Sequence, residues 1–328
     1  VDLLQAIHLN LVSPQALFFV LGVFASVVKS DLKLPEALYQ SLTIYLLAVI
    51  GFKGGVALSG ADLSSVAVPI LAAVALSAAI PLWAYPILRR AGRLSVADSA
   101  SIAAHYGSVS AVTFTVATSF LARVEVPVEG HATALLAVME SPAIVVGILL
   151  GRRATAGDAR LDGGMSRVLH EALFGKSVLL LIGALAIGFA CGERGMQGVS
   201  GFFVTPFQGV LALFLLELGL VTGRRLSDLR RIGVFLIAFG VLMPVVNGAL
   251  GAAIGAACGL SVGGTAILAT LAASASYIAA PAAMRLSLPE ANPTLSLTAA
   301  LAITFPFNVT FGIPLYLAFA RALVHAPS

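Results

Sequence analysis

Two Ser-x-Ser segments stand 166 residues apart in this chain, Ser108-Val109-Ser110 and Ser274-Ala275-Ser276. Each lies part-way along an apolar run, the first reading Ala104-His105-Tyr106-Gly107 before its serines and Ala111-Val112-Thr113 after them. The second opens with Ala272-Ala273 and continues through Tyr277-Ile278-Ala279-Ala280-Pro281. Small and hydroxylated residues in mid-run, with Pro281 lacking a backbone donor, allow a helix to break. A break exposes N–H groups at the start of the second half-helix, where the positive end of its dipole suits an anion. Hydroxyls add donors without the cost of a buried cation. The pattern therefore predicts noncovalent binding of a small anion by Gly107, Ser108, Val109, Ser110, Ala111 and Thr113 together with Ser274, Ala275, Ser276 and Tyr277. Close packing of membrane helices also uses small residues, but the duplication favours a site.

An ionisable group inside an apolar run is a functional candidate, because burying it is costly unless it is paired. Glu140, followed by Ser141 and Pro142, can ligate Na⁺ or carry a proton; Asn308, between Pro306 and Thr310, offers an uncharged oxygen. With Ser110 and Ser276 these form the expected cation-coupling set. Glu217 and Asn247 read as interhelical hydrogen-bonding groups, and His105 as a structural histidine rather than a proton relay. Lys53, near the outer end of its run, is expected to snorkel to the interface. Cys191 and Cys258 have no metal spacing and read as inert thiols. With no paired His/Cys ligands and no phosphate loop, neither an enzyme nor an organic cofactor is expected.

The elements that must position these residues follow from composition. The chain of 328 residues is 59% hydrophobic and 10% charged, against roughly 45–50% apolar and 25% charged in a soluble domain. It is an all-α polytopic membrane protein. Ten apolar runs are expected to span, at about 14–28, 35–50, 66–88, 98–121, 131–150, 173–191, 202–222, 232–257, 263–284 and 294–322. Residues 1–10 lack the basic start of a cleaved signal, so the first run is expected to remain as a helix. Of the 19 lysines and arginines, all but Lys53, Arg123, Arg194 and Arg321 fall in alternate connections on one side. The positive-inside rule places that side in the cytoplasm and both termini outside. It also explains the net charge of +4 without a nucleic-acid partner; Arg224, Arg225, Arg230 and Arg231 read as topology determinants, with anionic lipid contact a secondary role.

The serine pairs belong to a longer duplication. At the same offset Asp62-Leu63 recurs as Asp228-Leu229 and Leu94-Ser95-Val96 as Leu260-Ser261-Val262. Five spans per copy, an odd number, place the second copy upside down. The expected organisation is a first five-helix repeat over 1–151, a short cytoplasmic connection over 152–171 and a second, inverted repeat over 172–328. Spans four and nine are the broken ones. Such a chain is most simply a secondary transporter.

At these residues the chain resembles the sodium-dependent bicarbonate transporter family, found in the carbon-concentrating systems of cyanobacteria. The likeness runs through Ile50-Gly51 with Gly54-Gly55, Gly107 with Val109-Ser110 and Thr113, and Met139 to Ala143. It continues at Ala272-Ala273-Ser274, Pro281, Arg285, Pro289 and Ala291-Asn292-Pro293. The resemblance implies a gate domain and a core domain in a homotrimer of the bacterial inner membrane. It also implies bicarbonate and Na⁺ at Gly107, Val109, Ser110, Thr113, Ser274 and Ser276, and a PII-like regulatory partner. Tyr277 stands where that family ends a serine run in aspartate, and Glu140 replaces a family aspartate.

The leading expectation is Na⁺-coupled import of bicarbonate by alternating access. A same-fold transporter of another small organic anion, driven by H⁺ or Na⁺, is the nearest rival, and a non-transporting membrane receptor or scaffold a second. A channel is disfavoured because no ring of pore-lining charges is visible.

Overall fold

A computed structural model describes residues 3–60, 63–155, 170 and 174–324. Among these, all regular structure is helical. The chain runs α1 (Leu3–Leu11), α2 (Pro14–Val27), α3 (Glu36–Ser59), α4 (Leu63–Arg90), α5 (Val96–Gly107), α6 (Ala111–Arg123), α7 (Ala132–Met139) and α8 (Pro142–Thr155). It continues with α9 (Lys176–Phe203), α10 (Phe207–Arg225), α11 (Leu229–Ala257), α12 (Val262–Ala273), α13 (Ala279–Ser287) and α14 (Pro293–Leu323). Seven helical stretches of the described residues are long and apolar enough to cross a membrane, or eight if α1 and α2, bent by 62°, count as one span. Large apolar side chains such as Phe24, Leu71, Leu82, Ile187, Val234 and Leu242 are exposed along these helices, as lipid-facing surfaces require.

The helix ends depart from the expected apolar runs at identifiable places. The runs ending at 191 and starting at 232 meet kinks at Gly192 (φ 58°) and Gly233 (φ 78°), a conformation glycine reaches without a Cβ penalty. α3 continues to Ser59 rather than stopping near residue 50, so Lys53 lies inside a helix and not at its end. No β-branched cluster or proline interrupts Lys53-Gly54-Gly55-Val56, and close packing on α9 holds the extra turns. The amino-terminal α1, which the sequence did not announce, is held by Asn10 Nδ2 donating to the Val309 carbonyl. That carbonyl lies in a π-helical stretch, Asn308–Gly312, just past Pro306; a proline without an N–H disturbs the regular ladder there.

Packing groups the helices in two sets. α2 packs along α10 and α3 along α9; α5 packs against α4 and α8, and α12 against α11 and α14. At the 166-residue offset α2 corresponds to α9 and α3 to α10, so the two largest interfaces are images of each other. Likewise α4–α5 corresponds to α11–α12. Asp62 and nearly all of the connection 152–171, with Arg160 and Arg167, lie outside the described residues.

Candidate functional site

Two short helices enter the centre of the molecule and stop there. α5 starts at Ser95, whose hydroxyl accepts the Asp98 N–H, and ends at Ser108 with φ −83° and ψ 167°. α12 starts at Ser261, whose hydroxyl accepts the Gly264 N–H, and ends at Ser274 with φ −82° and ψ 168°. The duplicated serines thus have the same local jobs in both copies, capping the start and turning the chain out into extended backbone at the end. Gly107 is required by close approach: a Cβ there would lie 2.6 Å from Ala143 Cβ and 2.7 Å from Pro81 Cδ.

The breaks are joined to each other. Ser110 N donates to Ser274 Oγ at 3.0 Å, and Ser276 N donates to the His105 carbonyl at 2.8 Å. That carbonyl has lost its own i+4 helical partner because α5 has ended, so the second break supplies the donor. Ser110 Oγ accepts the Thr113 N–H at 3.1 Å as the cap of α6, and donates to Tyr277 Oη at 3.1 Å. Ser276 Oγ accepts the Ala280 N–H at 3.2 Å, at the start of α13. Ser108, Val109, Ser110, Thr113, Ser274, Ala275, Ser276 and Tyr277 are all buried, and Ala111 is half-buried.

Neighbouring helices satisfy the carbonyls that the breaks release. Ser77 Oγ lies 3.0 Å from the Gly107 carbonyl and 2.9 Å from that of Met139, and its single proton serves either. Ser108 Oγ donates to the Glu140 carbonyl at 2.7 Å. Asn308 Nδ2 donates to the Ala273 carbonyl at 2.9 Å, while its Oδ1 accepts from Tyr316 at 2.7 Å. Ser77 was not singled out in the sequence; a lone hydroxyl four residues before Pro81 in an apolar run was the available signal.

Glu140 sits between α7 and α8, where Pro142 has no N–H to continue the ladder. The residue is 5% exposed and Oε2 has no hydrogen-bond partner among the described residues. The structure therefore brings Glu140 beside the first break through its backbone, and Asn308 beside the second through its side chain. Glu217 does not bond across helices as expected: Oε1 pairs with Arg224 Nη2 at 3.2 Å on the same helix, because two turns bring these positions to one face. Asn247 does bond across helices, accepting from Trp83 Nε1 at 3.1 Å. Lys53 Nζ lies 5.3 Å from the Phe207 ring centroid, and both cysteines are free.

The amino-terminal end of α6 faces α3. Ala111, Val112 and Thr115 line a gap with Leu46, Ile50, Phe214 and Ile278, of about 10 Å³, room for one water at most. The oxygens around the crossing belong to hydroxyls and carbonyls, with one nearby carboxylate. Among the described residues no three His, Cys, Asp or Glu side chains cluster as a metal site. An all-oxygen set suits a hard cation such as Na⁺ rather than a transition metal.

A search of curated proteins returns no match. The family model for the Na⁺-dependent bicarbonate transporter superfamily matches residues 14–321, nearly the whole chain, and the protein therefore belongs to that superfamily of transporters, not to an enzyme family.

Proposed function

We propose that this protein is a secondary active importer of bicarbonate coupled to Na⁺, with the anion bound where the α5–α6 and α12–α13 breaks cross. The observation that carries this reading is the bond from Ser110 N to Ser274 Oγ, which brings one half of the duplication against the other. The anion would draw on the first N–H groups of α6 and on the hydroxyls of Ser110, Thr113, Ser274 and Ser276, of which Ser110 now donates to Tyr277 Oη and Ser274 to the Leu271 carbonyl. Na⁺ would be held by hydroxyl and carbonyl oxygens of the same segments, with Glu140 supplying negative charge and Asn308 a further oxygen.

The reading includes ten spans in two inverted repeats. Each half-helix at the breaks has 9 to 13 residues and reaches at most about 20 Å, short of the ~30 Å hydrocarbon core. Counting each broken pair as one span, and α1–α2 as another, gives ten. Helices α2, α3, α9 and α10 form the gate, and α4–α8 with α11–α14 the core that moves against it. The offset-related helix pairs and the matching caps support this arrangement. Both termini outside, the bacterial inner membrane and a homotrimer complete it; the exposed apolar faces are what lipid and sister subunits would cover. A PII-like partner would contact the connection 152–171.

Uptake of labelled bicarbonate into proteoliposomes, with and without an inward Na⁺ gradient, tests the proposal. Ser110→Ala and Ser276→Ala should each lower the initial rate; unchanged rates in both would remove the site. Tyr277 favours a second reading, H⁺-coupled transport of a small organic anion, because a phenol stands beside Ser110 in place of a cation-binding carboxylate. Uptake of organic anions without Na⁺ would decide for it.

A further inference from the structure

Two cavities flank the crossed breaks, and the duplication relates their walls. One, of about 210 Å³, is lined by Thr115, Thr118, Gly130 and Lys53 among others. The other, of about 120 Å³, is lined by Pro281, Met284, Ser296, Arg285, Ser101 and His105 among others. Thr115, Thr118 and Gly130 precede Pro281, Met284 and Ser296 by the same 166 residues. Each cavity is therefore walled by the half-helix that follows a break and by the segment leading into the next span. Each has one lysine or arginine in its lining.

The second cavity has something its counterpart lacks, since position 271, the image of His105, is leucine. His105 is 0% exposed, and its Nδ1 lies 2.7 Å from the Ser101 carbonyl. A carbonyl only accepts, so the Nδ1 carries the ring proton of the neutral imidazole and Nε2 keeps a lone pair. The Nε2 has no partner among the described residues, and a buried acceptor without a donor is unfavourable. The same cavity is lined by Arg285, exposed at the rim, and by Pro293 and Ser296 at the start of α14, where Asn292 caps the Thr294 N–H and gives its own N–H to Asp98 Oδ1 at 2.7 Å. Arg285 supplies positive charge, and the helix start adds its dipole against the Asp98 carboxylate.

We propose that this cavity is a second oxyanion site, distinct from the crossed breaks, and that it takes an anion bearing its own O–H. The anionic oxygens face Arg285 and the end of α14, and the hydroxyl donates to His105 Nε2. Bicarbonate satisfies both demands and is small enough for the cavity; nitrate, of similar shape and charge, has no proton to give. Binding here does not depend on the transport reading. Its place on the cytoplasmic side does rest on that reading and its orientation.

The test uses the full-length protein with ¹⁵N-labelled histidines in detergent at constant pH, titrated with sodium bicarbonate or sodium nitrate. The His105 Nε2 resonance, assigned by its loss in His105→Gln, is expected to shift saturably with bicarbonate and not with nitrate. Arg285→Gln, at an exposed position, is expected to weaken the response about tenfold, the worth of one charge-assisted hydrogen bond. Ser110→Ala is expected to leave the response in place. Equal shifts with both anions, no effect of Arg285→Gln, or loss of the response in Ser110→Ala would each overturn the second site. If the response holds while no variant or condition supports bicarbonate uptake, the transport reading fails and the second site stands.

Discussion

Ser276 N and the His105 carbonyl, 171 positions apart in sequence, form a hydrogen bond of 2.8 Å in the centre of the molecule. Each group is left over from a helix break in a different copy of the duplication. Pairing leftovers is how two interrupted helices can end inside an apolar interior without stranded backbone groups. It also ties the two breaks to each other, together with the bond from Ser110 N to Ser274 Oγ.

The caps of α5 and α12 have equivalent geometry, so Ser95→Ala and Ser261→Ala should each destabilise by about 1 kcal/mol. Ser95 also donates to Asp98 Oδ2 at 2.6 Å, so its replacement should be the more costly of the two. Thermal unfolding of the purified variants in detergent checks the order.

Tyr277→Phe removes the acceptor of the Ser110 hydroxyl while the ring stays edge-on to Phe305, with centroids 5.7 Å apart. Ser110 still caps Thr113. The expected loss is about 1 kcal/mol of stability, and any larger change should be in the Na⁺ dependence of uptake. Measuring the Na⁺ concentration for half-maximal rate, in wild type and variant, separates ion binding from folding.

Glu140→Gln keeps shape and deletes charge. Because Oε2 is buried without a partner, stability should not fall and should rise by as much as about 1–3 kcal/mol. If Glu140 carries coupling, gradient-driven accumulation is lost while exchange of internal for external bicarbonate persists. Retained accumulation together with a higher melting temperature would assign the residue no coupling role.

The helix contacts discriminate between glycines. A Cβ on Gly219 of α10 would meet the Phe19 carbonyl of α2, whereas one on Gly183 of α9 meets nothing within 4 Å. Gly219→Ala should cost about 1–3 kcal/mol by overpacking. Gly183→Ala should gain roughly 0.5–1 kcal/mol from helix propensity. Chemical denaturation in a mixed micelle reads both.

Much of the site was legible because its residues sit in local patterns. The Ser-x-Ser segments and Pro281 marked the interruptions of spans four and nine by short-range chemistry, whereas the capping by Ser95 and Ser261 and the interruption before Pro142 came from the structure. Glu217 shows where such reading stops. Its expected partner was on another helix, but the helical repeat placed Arg224 two turns away on the same face, and only side-chain direction selects between the two. Ser77 was passed over because its role lies entirely in what faces it.

By itself, the sequence determined an all-α membrane chain, its duplicated serine segments and the interruptions at those serines, since apolar length, prolines and small polar residues act within a few positions. Tertiary structure alone decided that Ser110 meets Ser274 and that Ser276 meets His105. It also decided that Asn308 serves the end of α12 and that His105 faces a cavity with an unused nitrogen. Those outcomes depend on how far one helix penetrates beside another, which is set by packing across distant segments and not by any local spacing.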